Sequence, residues 1–189
     1  MEKTLEQESS DCLKIVLFGP ESTGKTTLAK QLAAHYNTRW VPEYMRTYLE
    51  KKWEQQQEKI SKDDLLPIAE GQMSCENKAA KEADRLLFCD TNLLEIKVYS
   101  EYYYDGFCPP LIKEHAIKNH YEHYFLTYID TPWVSDNLRD RPHDRSTLFR
   151  IFETELQHQG LPYTILRGSN TQRLQSAIEL IEKLLKETT

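Results

Sequence analysis

The chain has 189 residues, 29% of them charged, with 30 acidic side chains against 24 Lys and Arg and a formal net charge of −6. That length holds one domain with a substantial core. The acidic balance excludes the broad cationic footprint that nucleic acid or an anionic membrane surface requires. No apolar run approaches the roughly 20 residues of a membrane-spanning helix. The polar, acidic first twelve residues do not resemble a signal peptide, so a cytoplasmic protein is expected, with 1–12 a disordered tail and 13–189 a single domain. Cys12, Cys75, Cys89 and Cys108 lack C-x-x-C spacing and are read as reduced thiols, with neither zinc nor disulfides.

The first element is a strand, Lys14 to Phe18, followed by Gly19-Pro20-Glu21-Ser22-Thr23-Gly24-Lys25-Thr26 and a helical stretch from Lys25 to His35. Further β-rich runs are Thr38 to Val41, Arg85 to Cys89, His123 to Ile129 and Pro162 to Leu166. Between them lie helical stretches from Tyr44 to Lys59, Asp63 to Ala83, Leu93 to Tyr103, Leu111 to Asn119 and Thr147 to Gln159. A last helix carries Leu174, Ala177, Ile178, Ile181, Leu184 and Leu185 on one face, after an S-x-x-Q capping box at Ser169 to Gln172. Alternating strands and helices make βαβ units and a parallel sheet. The expected fold is a three-layer α/β P-loop NTPase, five parallel strands flanked by helices and nucleoside/nucleotide-kinase-like. A charged, proline-bearing segment, Arg139 to Arg145, would form a mobile arginine flap.

G-x-x-x-x-G-K-[ST] between a strand and a helix is a phosphate loop. Gly19 and Gly24 let the backbone curl so that successive N–H groups face inward, and the helix N-terminus adds its positive dipole end. Lys25 would reach the β- and γ-phosphates of ATP, and the Thr26 hydroxyl would hold Mg²⁺ between them. Glu21, Ser22, Thr23 and Thr27 complete the expected nucleotide contacts, joined by Arg167 and Ser169 after the fifth strand.

In open α/β sheets ligands bind beyond the carboxyl ends of the strands. Glu43, Asp90 and Asp130 follow the second, third and fourth strands, so three carboxylates would meet the phosphate loop on one rim. Asp90 closes four apolar residues as a Walker B acid does and is expected to act in catalysis and on magnesium. The next residue is Thr91 rather than the Glu that positions water in mechanical ATPases, which favours transfer over hydrolysis. Glu43 can take the proton of an acceptor hydroxyl, or stabilise the dipole of the helix it precedes. Arg46, one turn on, could orient it. Arg139 and Arg141 would supply charge to the transferring phosphoryl group. Tyr44, Trp53, Trp133 and Tyr102 to Tyr104 could stack on a planar ring, or simply pack.

Glu43-Tyr44-x-Arg46, Phe88-x-Asp90-Thr91 and Thr131-x-Trp133-Val134-x-Asp136-x-Leu138-Arg139, in this order after the phosphate loop, resemble the ribosylnicotinamide kinase domain of the bacterial NadR family. The likeness runs from about Lys14 to Leu185. It implies transfer of the γ-phosphate of ATP to the 5′-hydroxyl of nicotinamide riboside, with Lys25, Glu43, Asp90 and Arg139 in the family's catalytic positions. Tyr44, Arg46, Asn92 and Trp133 would lie near the acceptor. The family pattern Asp-Thr-Asp is Asp90-Thr91-Asn92 here, which keeps a hydrogen-bonding group and loses a charge. The chain shows no H-x-G-H signature, so the family's adenylyltransferase role does not carry over. Other readings are a kinase for another nucleoside or small alcohol, and an ATP-binding sensor module. A GTPase is disfavoured, since neither D-x-x-G nor N-K-x-D occurs at the required places.

Overall fold

Strand β1 (Leu13–Phe18) is apolar apart from Lys14, which pairs with Glu76, and five of its six residues are buried. Such a strand belongs in the middle of a parallel sheet covered on both faces. In the computed structural model, which describes residues 5–133 and 144–187, it lies there. The sheet runs β2 (Arg39–Val41), β3 (Leu86–Asp90), β1, β4 (His123–Thr127), β5 (Tyr163–Leu166), with all pairings parallel. Leu17 pairs with Asp90 on one side and Phe125 on the other, so the ends of β1, β3 and β4 are level.

The period-two alternation of the strands sorts their side chains into two layers. Ile15, Leu17, Phe88 and Phe125 meet α1 (Lys25–His35) and α7 (Asn170–Glu187). Val16, Phe18, Leu87, Cys89, Tyr124 and Leu126 meet the opposite layer. That layer comprises α3 (Leu65–Glu82), α4 (Leu93–Tyr103), α5 (Pro110–Lys118) and α6 (Arg145–His158). Helix α2 (Tyr44–Gln56) buries no residue completely and forms a wall at the rim. It stops three residues earlier than its composition suggests, because Gln57 adopts a left-handed conformation at φ 56°. The capping box of α7 forms as expected, Ser169 N–H donating to Gln172 Oε1 at 2.8 Å and Gln172 N–H to Ser169 Oγ at 3.3 Å. No helix among the described residues is long and apolar enough to cross a membrane.

The tail expected to be disordered is docked from Leu5 onward, and Leu5 itself is fully buried. The cause lies on α3, which turns Glu76 and Asn77 inward and must satisfy them. Gln7 donates to Glu76 at 2.8 Å, while Asn77 accepts from the Glu8 N–H and donates to the Glu6 carbonyl, both at 2.9 Å. A polar segment therefore orders as the hydrogen-bonding complement of a polar helix face.

His123 is buried at the start of β4, with Nε2 3.0 Å from Thr164 Oγ1, and burial lowers its pKa from 6.5 to about 4. An unfolded imidazole takes up its proton near pH ~6.5, so between about 6.5 and 4 the unfolded chain binds the extra proton and stability declines as pH falls. His123→Gln is expected to flatten that decline. Urea midpoints of both proteins, measured at about pH 7 and about pH 5, check it: the wild-type drop should exceed the variant's.

Candidate active site

The turn after β1 is held from outside by its carbonyl groups. Thr23 donates to the Pro20 carbonyl at 2.7 Å, and its hydroxyl lies 2.6 Å from Thr127 Oγ1. Arg145 and Thr131 both donate to the Ser22 carbonyl at 3.0 Å, and Arg173 to that of Thr23 at 2.5 Å. The Lys25 ammonium closes back on the Gly19 and Pro20 carbonyls at 2.6 and 3.0 Å. Engaging the carbonyls in this way leaves the N–H groups of the turn for an anion. Gly19 is required twice over: its φ is 129°, and a Cβ there would lie 3.1 Å from both the carbonyl and the hydroxyl of Thr127.

Arg173 ties this turn to its surroundings. It is 2% exposed and reaches Thr23, the Tyr128 carbonyl at 2.8 Å, the Gly168 carbonyl at 3.1 Å, and the Asp130 carboxylate. Arg173→Ala would strand these acceptors and is expected to cost about 3–5 kcal/mol, as other one-sided losses of buried charge do. Urea denaturation measures it, with the loss of nucleotide binding as a second readout. Arg173→Lys recovers only part, since an ammonium cannot span four acceptors.

At the sheet end, three carboxylates gather around Lys25. Thr26 donates to Asp90 Oδ2 at 2.5 Å. Glu95 Oε1 stands 3.2 Å from the Lys25 ammonium. Burial alone would strip Lys25 of its proton, but Glu95, Asp90 and Glu43 outweigh it and keep the ammonium charged. Burial likewise raises the Asp90 carboxyl, opposed by Lys25 and the Thr26 hydroxyl. Glu95 is pushed up to about 7, chiefly by burial, with Lys25 opposing and Glu43 and Asp90 adding to the rise. Glu43 is aimed by Gln72, which accepts from the Tyr44 N–H at 2.8 Å and donates to the Pro42 carbonyl at 3.3 Å, clasping the turn on both sides of it.

Thr26 and Asp90 suit magnesium. The ion takes one or two protein oxygens and fills its octahedron with waters and phosphate oxygens, and a hydroxyl bonded to a carboxylate beside the phosphate loop offers that donor set. Among the described residues no group of three or more His, Cys, Asp or Glu is placed to hold a metal ion. Asp90→Asn is expected to weaken nucleotide binding about tenfold or more when magnesium is present and far less when it is chelated. Paired titrations in calorimetry read the difference.

A cavity of about 420 Å³ opens beside this cluster. Its polar lining comes from residues 21–27, Glu43, Arg46, Asp90, Thr91, Glu95 and Ser100. Met45, Leu49, Ile60, Leu65, Ile68 and Ile96, with Tyr99, Tyr103 and Tyr104, line the rest. Four carboxylates, those of Glu21, Glu43, Asp90 and Glu95, face two cations, Lys25 and Arg46. The α2 wall is pinned by Asp64, which accepts from Tyr48 at 2.9 Å and Lys52 at 2.7 Å. Burial would raise the Asp64 carboxyl, but Lys52, Ser61 and Tyr48 prevail and hold it at about 2.

Among the expected site residues, 21–27, Glu43, Arg46 and Asp90 share this cavity, and several others do not. Asn92 is fully buried as the N-cap of α4, accepting from the Glu95 N–H at 3.1 Å and donating to Tyr124 at 3.1 Å, so it has no face for a substrate. Tyr44 lies over Gly71, where a Cβ would come within 2.0 Å of its ring. Arg167 stacks on Tyr128 at 3.6 Å, and Ser169 caps α7. Asp130 is taken by Arg173 and the Gly168 N–H rather than joining the cluster. Half-buried Trp133 lies 5.8 Å from the Arg145 guanidinium, outside the cavity lining. Arg139 and Arg141 lie outside the described residues. Sequence reading missed Glu95 and Arg173, although each is a charge on an apolar helix face. Glu95 interrupts Leu93-Leu94-x-Ile96, and Arg173 sits one turn before Ala177 on the buried stripe of α7.

A phosphate loop rising from the central strand, an adjoining strand whose acid meets the loop threonine, and a strand order of 2-3-1-4-5 define a P-loop domain of nucleoside-kinase architecture. Residues 14–173 match the family model described as an AAA domain, and the chain belongs to that family. It is similar to the trifunctional NAD biosynthesis/regulator protein NadR of Salmonella typhimurium, with 24% identity over 176 residues that cover 92% of this chain and 43% of that protein. The Escherichia coli NadR gives the same figures, so the chain spans less than half the length of these curated relatives. A crystal structure of NadR protein in complex with NR matches with a TM-score of 0.77 at 20% identity, covering 92% of this chain and 50% of that one. A deoxyadenosine kinase from M. mycoides, covered completely by 90% of this chain, gives a TM-score of 0.64 at 14% identity. In fold the chain is a NadR-like P-loop kinase domain.

Proposed function

We propose that the chain transfers the γ-phosphate of ATP to the 5′-hydroxyl of nicotinamide riboside, yielding nicotinamide mononucleotide and ADP. The observation that carries this reading is one cavity whose lining joins Lys25, Thr26 and Asp90 to tyrosine and aliphatic side chains, with four carboxylates against two cations in all. Nicotinamide riboside bears a permanent positive charge on a planar ring, and tyrosine faces among carboxylates attract such a ring. Similarity to NadR supports the same acceptor.

The triphosphate occupies the turn at 19–26. Lys25 exchanges its contacts with the Gly19 and Pro20 carbonyls and Glu95 for the β- and γ-phosphates. Thr26 and Asp90 would hold magnesium, which when bound would supply charge neutralisation to the phosphates. Glu43 accepts the 5′-hydroxyl proton as that oxygen bonds to phosphorus and the bond to the ADP oxygen breaks. Arg46 steadies the carboxylates, and Arg139 and Arg141 are assigned to the transferring phosphoryl group.

A coupled ADP-release assay over a nucleoside panel tests the reading. Turnover stimulated by nicotinamide riboside above other nucleosides is expected, whereas slow turnover indifferent to every acceptor would replace the kinase with a nucleotide sensor. Lys25→Ala should cost at least ~100-fold in kcat, as loss of one preorganised donor to a developing charge does. Glu43→Gln should lower kcat and leave ATP affinity near wild type. A Glu43 variant impaired only in ATP binding would remove its role as base.

A further inference from the structure

At the wall of the cavity Thr91 Oγ1, Glu95 Oε2 and Tyr99 OH are buried with no partner among the described residues beyond their own cluster, in which the Thr91 hydroxyl is directed to the Glu95 carboxylate. Thr91 and Glu95 are only 3% and 2% exposed, and all three residues line the cavity. Leaving such groups under-bonded is costly, and native proteins rarely do so without a function. Glu95 and Tyr99 stand one turn apart on the same face of α4, and Thr91, just before the N-cap, adjoins Glu95 through its hydroxyl. Thr91 adds a second anomaly, since it is β-branched and held at φ 89°, a strained conformation that clusters at ligand sites.

We propose that Glu95, flanked by Thr91 and Tyr99, is a subsite for the vicinal 2′- and 3′-hydroxyls of the acceptor's ribose, and so selects ribonucleosides over 2′-deoxynucleosides. The inference rests on the reading of the cavity as a nucleoside-kinase acceptor site. Location favours the sugar over the ring. Glu95 Oε1 touches the phosphate-loop lysine, so the cluster adjoins the place of phosphoryl transfer, where the sugar carrying the reacting hydroxyl must lie. The ring then extends toward Tyr103 and Tyr104. A carboxylate accepts from two adjacent hydroxyls at once, and the Thr91 and Tyr99 hydroxyls can each donate or accept beside it.

The test compares kcat/KM for nicotinamide riboside and its 2′-deoxyribosyl counterpart, in wild type and in Glu95→Ala, Glu95→Gln and Tyr99→Phe. Wild type should prefer the ribosyl substrate by about 10- to 100-fold, because the deoxy analogue leaves a buried charge under-bonded. Glu95→Ala should bring the ratio within about threefold, with Glu95→Gln and Tyr99→Phe between the two. Taking the ratio removes any loss that a purely structural role, or the contact with Lys25, inflicts on both substrates alike. Tyr99→Phe keeps the ring contacts with Tyr103 and Phe152, so it reports even where a Glu95 variant fails to fold. Equal efficiency toward both nucleosides in wild type, or an unchanged ratio in folded variants, overturns the subsite and leaves the kinase reading standing. Phosphorylation of neither nucleoside overturns both.

Discussion

Burying an ammonium group beside the phosphate loop is the constraint from which the site follows. Lys25 is enclosed at the end of β1, and an unpaired charge there would be lost to desolvation. The fold answers with carboxylates from three directions: Asp90 from the neighbouring strand, Glu43 from the turn after β2, and Glu95 from the first turn of α4. Each of these acids is buried or crowded enough to need the lysine in return. The result is a cluster whose acids outnumber its one lysine, an excess that grows wherever an anion draws Lys25 away.

Keeping that cluster in register falls to polar residues outside the cavity lining. Arg173 gathers the phosphate loop and the loops after β4 and β5. Gln72 clasps the turn that carries Glu43. Asn92 caps α4 and thereby sets the phase of the helix, on which the direction of Glu95, Tyr99 and Tyr103 depends. The family's acid at position 92 would cap a helix equally well, so the change to Asn leaves this positioning intact.

How much of this was legible before folding depended on whether the partners were local. The phosphate loop, the five strands and the limits of α1 and α4 follow from glycines, apolar runs and periodicity, all of which act within a few residues. Glu43 and Asp90 could be placed because strand ends converge in any open parallel sheet. Glu95 and Arg173 could not, because their partners lie on other elements and nothing nearby says whether a charge on an apolar face is buried or turned aside. Asn92 was misjudged for the converse reason, since one side chain can serve either a ligand or a helix N-terminus. The docking of residues 5–12 was invisible for the same cause: its logic is written in Glu76 and Asn77, some seventy positions away.

The sign of the cavity bears on what happens after chemistry. On the proposed function, a cationic nucleoside would be drawn to a lining in which four carboxylates outnumber two cations. Once phosphorylated, the same molecule would carry an anionic group against Glu43 and Asp90, turning the attraction that admitted it to repulsion. Under that reading the reaction reverses the electrostatic preference of the chamber, and the newly installed charge would drive product departure.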